Sequence, residues 1–368
     1  MKAGLMAQQF DVDGRLVTVE NTGSGNVNDT YLAIFRTTFS EHRFILQKLN
    51  ANVFAEPEAI MHNMRTLTDH VHRRLEEEAH LADRIWQLPR VIPAKDGKDF
   101  VIDGDGAFWR AISHIASAHS YERAQGMEHA YEAGFVLGQF QRLISDLPAD
   151  SLNITIDGFH VTPRYFDKFD RAMSTREGQE RCCSSAEAER CHNFITARRD
   201  WCSVLEQAKE RGELQIRPIH GDPKIANIMI DDATGKGTCI VDLDTVMPGL
   251  AHYDIGDCMR SSCNPAGEET AQLNHVYFDT DLFEAIYKGY SVYAREFLTD
   301  ADRHYIYDSI RLVAFELGLR FFADFLAGDV YFKTRYDSHN LNRAAVQFKL
   351  VESIETRENL IRKVIESV

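Results

Sequence analysis

The 368-residue sequence contains no run of ~20 apolar residues, so no transmembrane helix is expected. Its first residues, MKAGLMAQQFDVDG, lack the apolar core of a secretory signal, which makes a cytosolic location the expectation. A basic tract is also missing. Lys plus Arg number 41 against 56 Asp plus Glu, a formal charge of −15 that disfavours nucleic acid and anionic membranes as partners. The seven cysteines include no C-x-x-C pair, and an odd number cannot pair fully within one chain. Reduced thiols are therefore expected, and a metal site on Cys182, Cys191 and His192 has little support. There is no internal repeat and no low-complexity linker. What is present is a globular composition, 44% hydrophobic and 10% aromatic, which excludes disorder. The length suits two domains of the usual ~100–200 residues.

Texture changes along the chain. Leu16–Glu20 and Thr30–Arg36 read as strands flanking Gly23-Ser24-Gly25, and Arg43–Leu49 is a third β-rich run. From Pro57 to about Leu81 the composition is helical, with Ile60, Met64, Leu67 and Val71 on one face. Short strands are predicted at Phe100–Ile102 and Ala107–Ile112 between turn clusters. Beyond about Ser120, long helices are predicted over Glu128–Ile144, Pro163–Met173, Glu187–Glu210, Asp281–Phe297, Asp302–Ala327 and Ala344–Glu366. A small β island interrupts them at Leu214–Leu243.

The island holds the chemistry. It reads IHGDPKIANIMIDDATGKGTCIVDLDTVMPG from Ile219 to Gly249. Ile228–Asp231 and Thr238–Val241 are apolar runs joined by turn residues, which predicts an antiparallel hairpin. Asn227 precedes the first strand and Asp242 follows the second, so the hairpin brings an amide oxygen and a carboxylate side by side. Asp222 lies five residues before Asn227, within reach of the same loop. Two oxygen donors beside a further carboxylate suit Mg²⁺, which keeps substrate phosphates in its shell. The remaining carboxylate is then placed to take a proton from a hydroxyl nucleophile, as phosphoryl transfer requires. Piece by piece, His-Gly-Asp-Pro is also a plain turn, and Asp242 and Asp244 also suit strand-end caps. The ordered set favours the chemical reading.

His220-Gly221-Asp222-Pro223-Lys224-Ile225-Ala226-Asn227 followed by Ile240-Val241-Asp242-Leu243-Asp244 resembles the H-G-D-x-x-x-x-N … I-D motif of the aminoglycoside phosphotransferase and choline kinase superfamily. The stretches RFILQKLN, VDLDTVMPG, DIGDCMR and GLRFFADFLAGDVYF are similar to bacterial N-acetylhexosamine 1-kinases. The resemblance spans nearly the whole chain. It implies an α+β, bilobal protein-kinase-like fold, with a β-rich nucleotide lobe over 1–113 and a mainly helical catalytic lobe over 114–368. It also implies ATP, Mg²⁺ and transfer of the γ-phosphoryl group to a small-molecule hydroxyl. Asp222 then acts as catalytic base, Asn227 and Asp242 hold the metal, and His220 and Asp244 support the loop. Asp254-Ile255-Gly256 imitates a kinase metal motif but stands 27 residues after Asn227, against 15 for Asp242. Asp254 is expected to cap a helix beginning near Ile255 and to brace the loop.

On the nucleotide side, Gly23, Ser24 and Gly25 fit either a hairpin turn or a loop whose N–H groups cover phosphates. Kinases carry a Lys or Arg on the third strand to hold those phosphates; the resemblance puts Gln47 there, leaving neutralisation to Mg²⁺ and backbone dipoles. Glu58 is the best-placed acid on the first helix, or simply a solvated helix-start residue. Backbone near Ser113 and Ile115 is expected to meet the adenine. On the acceptor side, Glu316, Arg320 and Asp324 fall at i, i+4 and i+8 of one helix, a spacing that an exposed ion-pair ladder also explains. The resemblance makes Arg320 and Tyr331 sugar contacts, and Asn26 stands where those enzymes have a sugar-binding His.

The expected function is therefore an ATP- and Mg²⁺-dependent sugar 1-kinase acting on a hexosamine or related hexose. Kinases of choline, homoserine or an aminoglycoside share the same fold, and the aromatics around Phe315–Phe332 leave room for a cationic acceptor. A catalytically silent nucleotide-binding scaffold is the reading from a different class, prompted by Gln47 and opposed by Asp222, Asn227 and Asp242.

Overall fold

A computed structural model of the protein describes residues 2–22, 28–50, 56–78 and 84–368. In chain order its elements are α1 (Lys2–Ala7), β1 (Arg15–Asn21), β2 (Asp29–Arg36), β3 (Glu41–Lys48), α2 (Pro57–Glu77), β4 (Val91–Ile92), β5 (Val101–Ile102), β6 (Phe108–Ser113), β7 (Ala118–Ser120) and α3 (Met127–Leu143). They continue with α4 (Thr162–Met173), α5 (Arg176–Cys182), α6 (Ala186–Thr196), α7 (Val204–Glu210), β8 (Ile216–Ile219), β9 (Ile228–Asp231), β10 (Gly237–Ile240), β11 (Met247–Leu250) and α8 (Ala251–Ser262). The last are α9 (Thr280–Ala294), α10 (Asp300–His304), α11 (Ile306–Leu326), α12 (His339–Thr356) and α13 (Glu358–Ser367). Among the described residues, no helix is long and apolar enough to cross a membrane.

Two compact units share these elements. One comprises residues 1–119, 143–157 and 229–248; the other comprises 120–142, 158–228 and 249–368. The fold class expected from the sequence, an antiparallel β-rich first part and a helical second part, is the one found.

In the first unit, β1, β2 and β3 form an antiparallel meander that continues through β6 to β4. Side chains alternate between the two faces of a strand. One face therefore buries Ala33 and Phe35 of β2, Phe44 and Leu46 of β3, and Trp109 and Ala111 of β6, packed with Ala7, Phe10 and Ala94. The opposite face carries Thr30, Gln47 and Arg110, which the register sets side by side on β2, β3 and β6. Pro57 opens α2, where its missing N–H costs nothing. β9 and β10 neighbour each other in a second sheet with β7. The turn between them is tied by Asp231, which accepts from the Thr234 backbone N–H at 2.8 Å. That is the hairpin the island's turn residues predict.

The second unit packs α11 against α12, α8 and α4 around an aromatic-rich core. Three long predicted helices are broken. Glu187–Glu210 divides into α6 and α7 around a turn at Arg199–Trp201. There Arg198 lies 3.5 Å from the Phe194 ring centre and donates to Glu355 of α12, while Arg311 of α11 covers Trp201. Tertiary partners override helix propensity at that point. The Asp302–Ala327 helix begins at Thr299, a capping box with Asp302, and is interrupted at Tyr305, whose hydroxyl binds Glu213. α12 starts at His339, and the chain turns at Arg357 before α13. α11 ends where expected: Gly328 follows Ala327 with φ +98°, a backbone that favours glycine.

Candidate active site

Strand β8 delivers the loop that carries His220, Asp222 and Asn227. His220 is buried with its ring edge on Phe140, and its Nδ1 accepts from the Asp222 N–H at 3.2 Å. Gly221 has φ +85°, so the chain reverses there without a Cβ in the way. Both N–H groups before Asp222 are held by one carboxylate: His220 donates to Asp254 at 2.9 Å and Gly221 at 2.8 Å. Gln141 also donates to Asp254, and the Tyr290 hydroxyl donates to Gln141. Asp254 therefore braces the loop. It does not cap its helix, because α8 begins earlier, at Ala251, after Leu250.

The Asp222 side chain is 32% exposed, with Oδ2 2.7 Å from Lys224 Nζ. Its crowded surroundings push its carboxyl up from the ordinary value; Lys224 pulls the other way, and Asp257 adds to the rise. A raised carboxylate is the stronger general base. Asn227 donates from Nδ2 to the Asp222 carbonyl at 2.8 Å, which leaves its Oδ1 without a partner among the described residues. The sequence places Asp222 and Asn227 on one loop, and the structure joins them by that bond.

Around this loop the second unit gathers charge. His160 Nε2 faces the Gly221 carbonyl at 2.9 Å, and its Nδ1 faces Glu316 at 3.1 Å. Both partners are acceptors, so the ring makes both bonds only as the doubly protonated cation. Burial lowers its pKa, but Glu316 outweighs it, and the pKa lies above the ordinary 6.5. The stabilisation is therefore complete below pH 6.5 and is lost as pH rises through the higher folded value. We expect the melting temperature of the wild type to exceed that of His160→Gln most at pH 6 and progressively less at higher pH. A gap that stays constant with pH would contradict the doubly protonated ring.

Asp257 and Arg260 lie one and two turns beyond Asp254 on α8. Arg260 Nε and Nη2 both donate to Asp257 Oδ1, at 2.9 and 2.8 Å. The other carboxylate oxygen, Oδ2, is buried without a partner among the described residues. Their spacings of three and six from Asp254 were the available signal, but only burial and the shared field at Asp222 make them site residues.

Glu316, Arg320 and Asp324 do not form an exposed ladder. Glu316 and Asp324 are buried. An exposed pair would contribute ~0.3–0.5 kcal/mol, whereas a buried charge must be matched or it destabilises. Glu316 is matched by His160 and by the Thr162 hydroxyl at 3.0 Å. Asp324 accepts the backbone N–H groups of Val330, Tyr331 and Phe332 and the amide of Asn340, which fixes the turn bearing Tyr331. The Tyr331 side chain itself is exposed. Arg320 sits among the rings of Phe159, Tyr165 and Phe332 at 5.4, 5.1 and 5.7 Å, with Glu316 3.8 Å away. It makes no hydrogen bond among the described residues, so its donors remain open.

In the first unit, Asp242 follows β10 in a left-handed conformation, φ +65° and ψ 59°. Such strain in a non-glycine residue persists where the surroundings enforce it and marks candidate functional positions. Asp244 is buried and ion-paired to Arg110, and accepts from Asn28 Nδ2 at 2.7 Å. Gln47 binds Arg110, whose Nε and Nη2 donate to its Oε1 at 2.9 and 2.7 Å. Nothing in the sequence flagged Arg110. Glu58 is exposed in the first turn of α2. Ser113 is turned to Arg90, donating its N–H to the Arg90 carbonyl and accepting the Arg90 N–H on its hydroxyl. Ile115 is buried. Gly23, Ser24, Gly25 and Asn26 lie outside the described residues.

Among the described residues, no three His, Cys, Asp or Glu side chains converge as a metal cage. Mg²⁺ does not need one, because it takes one or two protein oxygens and completes its shell with phosphates and water. Taken separately, the open Oδ1 of Asn227 in the second unit and the carboxylate of Asp242 in the first are each oxygen donors of the type that Mg²⁺ accepts.

Residues 18–287 match the phosphotransferase enzyme family. The fold is similar to that of a microcompartment-associated aminopropanol kinase, at 17% identity over 98% of each chain with a TM-score of 0.61. It is also similar to choline kinase from Cryptosporidium parvum, at 11% identity over 95% of this chain and 91% of that one, TM-score 0.55. A third likeness is to spectinomycin phosphotransferase, solved with ADP and spectinomycin, at 13% identity over 100% and 98% of the two chains, TM-score 0.51. These likenesses establish the protein-kinase-like fold.

Proposed function

The chain belongs to the phosphotransferase enzyme family, and on that premise we propose that it transfers the γ-phosphoryl group of ATP to the anomeric hydroxyl of an N-acetylhexosamine or related hexose. The products are a sugar 1-phosphate and ADP. One observation carries the choice of a sugar over a cationic alcohol. An aromatic cage of the kind that binds a trimethylammonium group is already filled here by Arg320, the protein's own cation. A second cation placed there would be repelled. An uncharged acceptor with carbonyl and hydroxyl oxygens instead meets the open donors of a guanidinium. The neighbouring acids do not change that balance, since Asp257 is paired with Arg260, Glu316 with His160, and Asp222 with Lys224.

In the proposed reaction Asp222 accepts the proton of the anomeric hydroxyl. The freed oxygen bonds to the γ-phosphorus, and the bond from that phosphorus to the ADP oxygen breaks. His220, Gly221 and Asp254 hold the loop so that Asp222 does not have to be ordered in the transition state. Asn227 and Asp242 would hold Mg²⁺, and the bound ion supplies positive charge that neutralises the phosphates. The Gly23–Gly25 segment would cover the phosphates, backbone near Ser113 and Ile115 would meet the adenine, and residues 1–113 would form the nucleotide lobe. Tyr331 and Asn26 would complete the acceptor site with Arg320.

The test is ADP release from Mg²⁺-ATP with N-acetylglucosamine, N-acetylgalactosamine, galactose, choline, aminopropanol, homoserine and spectinomycin. The expected result is acceleration by the N-acetylated sugars and none by choline or aminopropanol. Acceleration by an amino alcohol alone would overturn the sugar reading, and by homoserine alone would redirect Arg320 to a carboxylate.

A further inference from the structure

Position 47 of the third strand carries Gln where kinases place a cation, and its neighbour Lys48 alternates to the opposite face, yet a cation stands beside Gln47. Arg110 of β6 is paired in register with Gln47 of β3 and is 1% exposed; its ion-pair partner Asp244 is 3% exposed. Gln47 Oε1 holds two of the guanidinium donors, and Gln47 Nε2 is itself anchored on Thr30 Oγ1 at 3.1 Å. The Asp244 carboxylate also takes a bond from Asn28, whose Oδ1 accepts the Asn50 N–H at 3.0 Å. Arg110 Nη1 is buried with no partner among the described residues.

We infer that Arg110 is the positioning residue of the metal-binding turn, and that Gln47 serves to orient it rather than to bind phosphate. The metal part of this role rests on the proposed function of Asp242 as a metal ligand. Three considerations lead there. A buried ion pair is poor value as a stabiliser, because desolvating two charges offsets most of their attraction. A lysine at position 47 would put a second cation against Arg110, whereas the glutamine oxygen accepts from it. Asp244 stands two residues from Asp242, whose left-handed backbone needs an anchor. Arg110 grips the turn at Asp244, and Asn63 of α2 grips it again, donating to the Val246 carbonyl at 2.9 Å. Asn63 is fixed in turn by the Asn153 N–H at 2.7 Å. The cation missing from position 47 of β3 is thus supplied one strand over, by Arg110 of β6. It acts through a carboxylate on the metal turn instead of directly on the nucleotide.

The test is Mn²⁺ binding in the presence of ADP, followed by electron paramagnetic resonance without turnover, on the full chain. Arg110→Met is expected to weaken Mn²⁺ binding by ~10–100-fold, the usual effect of removing a group that orients a metal ligand. Arg110→Lys should recover part of the loss, since it keeps the charge but not the planar fork. In turnover assays the metal activation constant should rise while the KM for the acceptor stays within about threefold, a split that general misfolding would not give. Asp244→Asn, which preserves shape, should show the same loss of Mn²⁺ and serves if Arg110→Met does not fold. Wild-type Mn²⁺ affinity in a folded Arg110→Met, or in Asp244→Asn, overturns the inference. Asp242→Asn separates the two levels: if it too binds Mn²⁺ normally, the metal assignment itself fails.

Discussion

Asp222→Asn is expected to lower kcat by about 10²–10⁴-fold, the range that a positioned general base contributes, with little change in the KM for ATP. Asparagine matches the shape of aspartate but cannot accept the hydroxyl proton. The bond from Asn227 to residue 222 goes to its backbone carbonyl and survives the change. The N–H groups held by Asp254 belong to His220 and Gly221 and are equally untouched. Steady-state ADP release with a saturating acceptor measures the effect. Retention of more than a tenth of wild-type kcat would remove Asp222 from the role of base.

Arg320→Met should produce the second largest change, a loss of roughly 10–100-fold in kcat/KM for the sugar. That corresponds to the ~1.5–3 kcal/mol of a hydrogen bond to a charged group. The variant should fold. Glu316 keeps His160 and Thr162 as partners, and a flexible thioether packs well among Phe159, Tyr165 and Phe332. The KM for ATP should hardly move. Truncation to Arg320→Ala removes the resident cation and also empties the aromatic cage, so a trimethylammonium alcohol that does not react with the wild type should bind measurably to that variant. Calorimetric titration with choline reads that directly. If choline binds wild type and variant equally, Arg320 does not control acceptor charge.

Much of this was legible in the chain, and the misses have a common cause. The β1–β3 meander followed from turn residues and alternating side chains, and the β9–β10 hairpin from two apolar runs around Asp232–Lys236. Local signals were enough because those partners are near in sequence. The breaks at Arg199–Trp201 and Tyr305 had no local signal, since Arg198, Tyr305 and Trp201 are held by groups more than 90 residues away. The loop from His220 to Asn227 was legible for the same reason as the hairpin. Arg110 was not, because its meaning lies in a pairing with Gln47 at a separation of 63 residues. The spacing of Glu316, Arg320 and Asp324 was read correctly, but spacing does not distinguish a buried row from an exposed one. His160 gave no pattern at all, and Asp257 only a helical spacing from Asp254; a shared environment makes both relevant to Asp222.

Phosphoryl transfer from ATP to a sugar's anomeric oxygen is tested by taking the N-acetylglucosamine and choline arms of the acceptor panel to their products. Phosphorus-31 resonance of each mixture locates the transferred group. The expected result is a phosphate coupled to the anomeric proton of the sugar, ADP in equal amount, and no phosphocholine. Phosphocholine formation with the sugar left unchanged, or phosphate on any sugar oxygen other than the anomeric one, would contradict it.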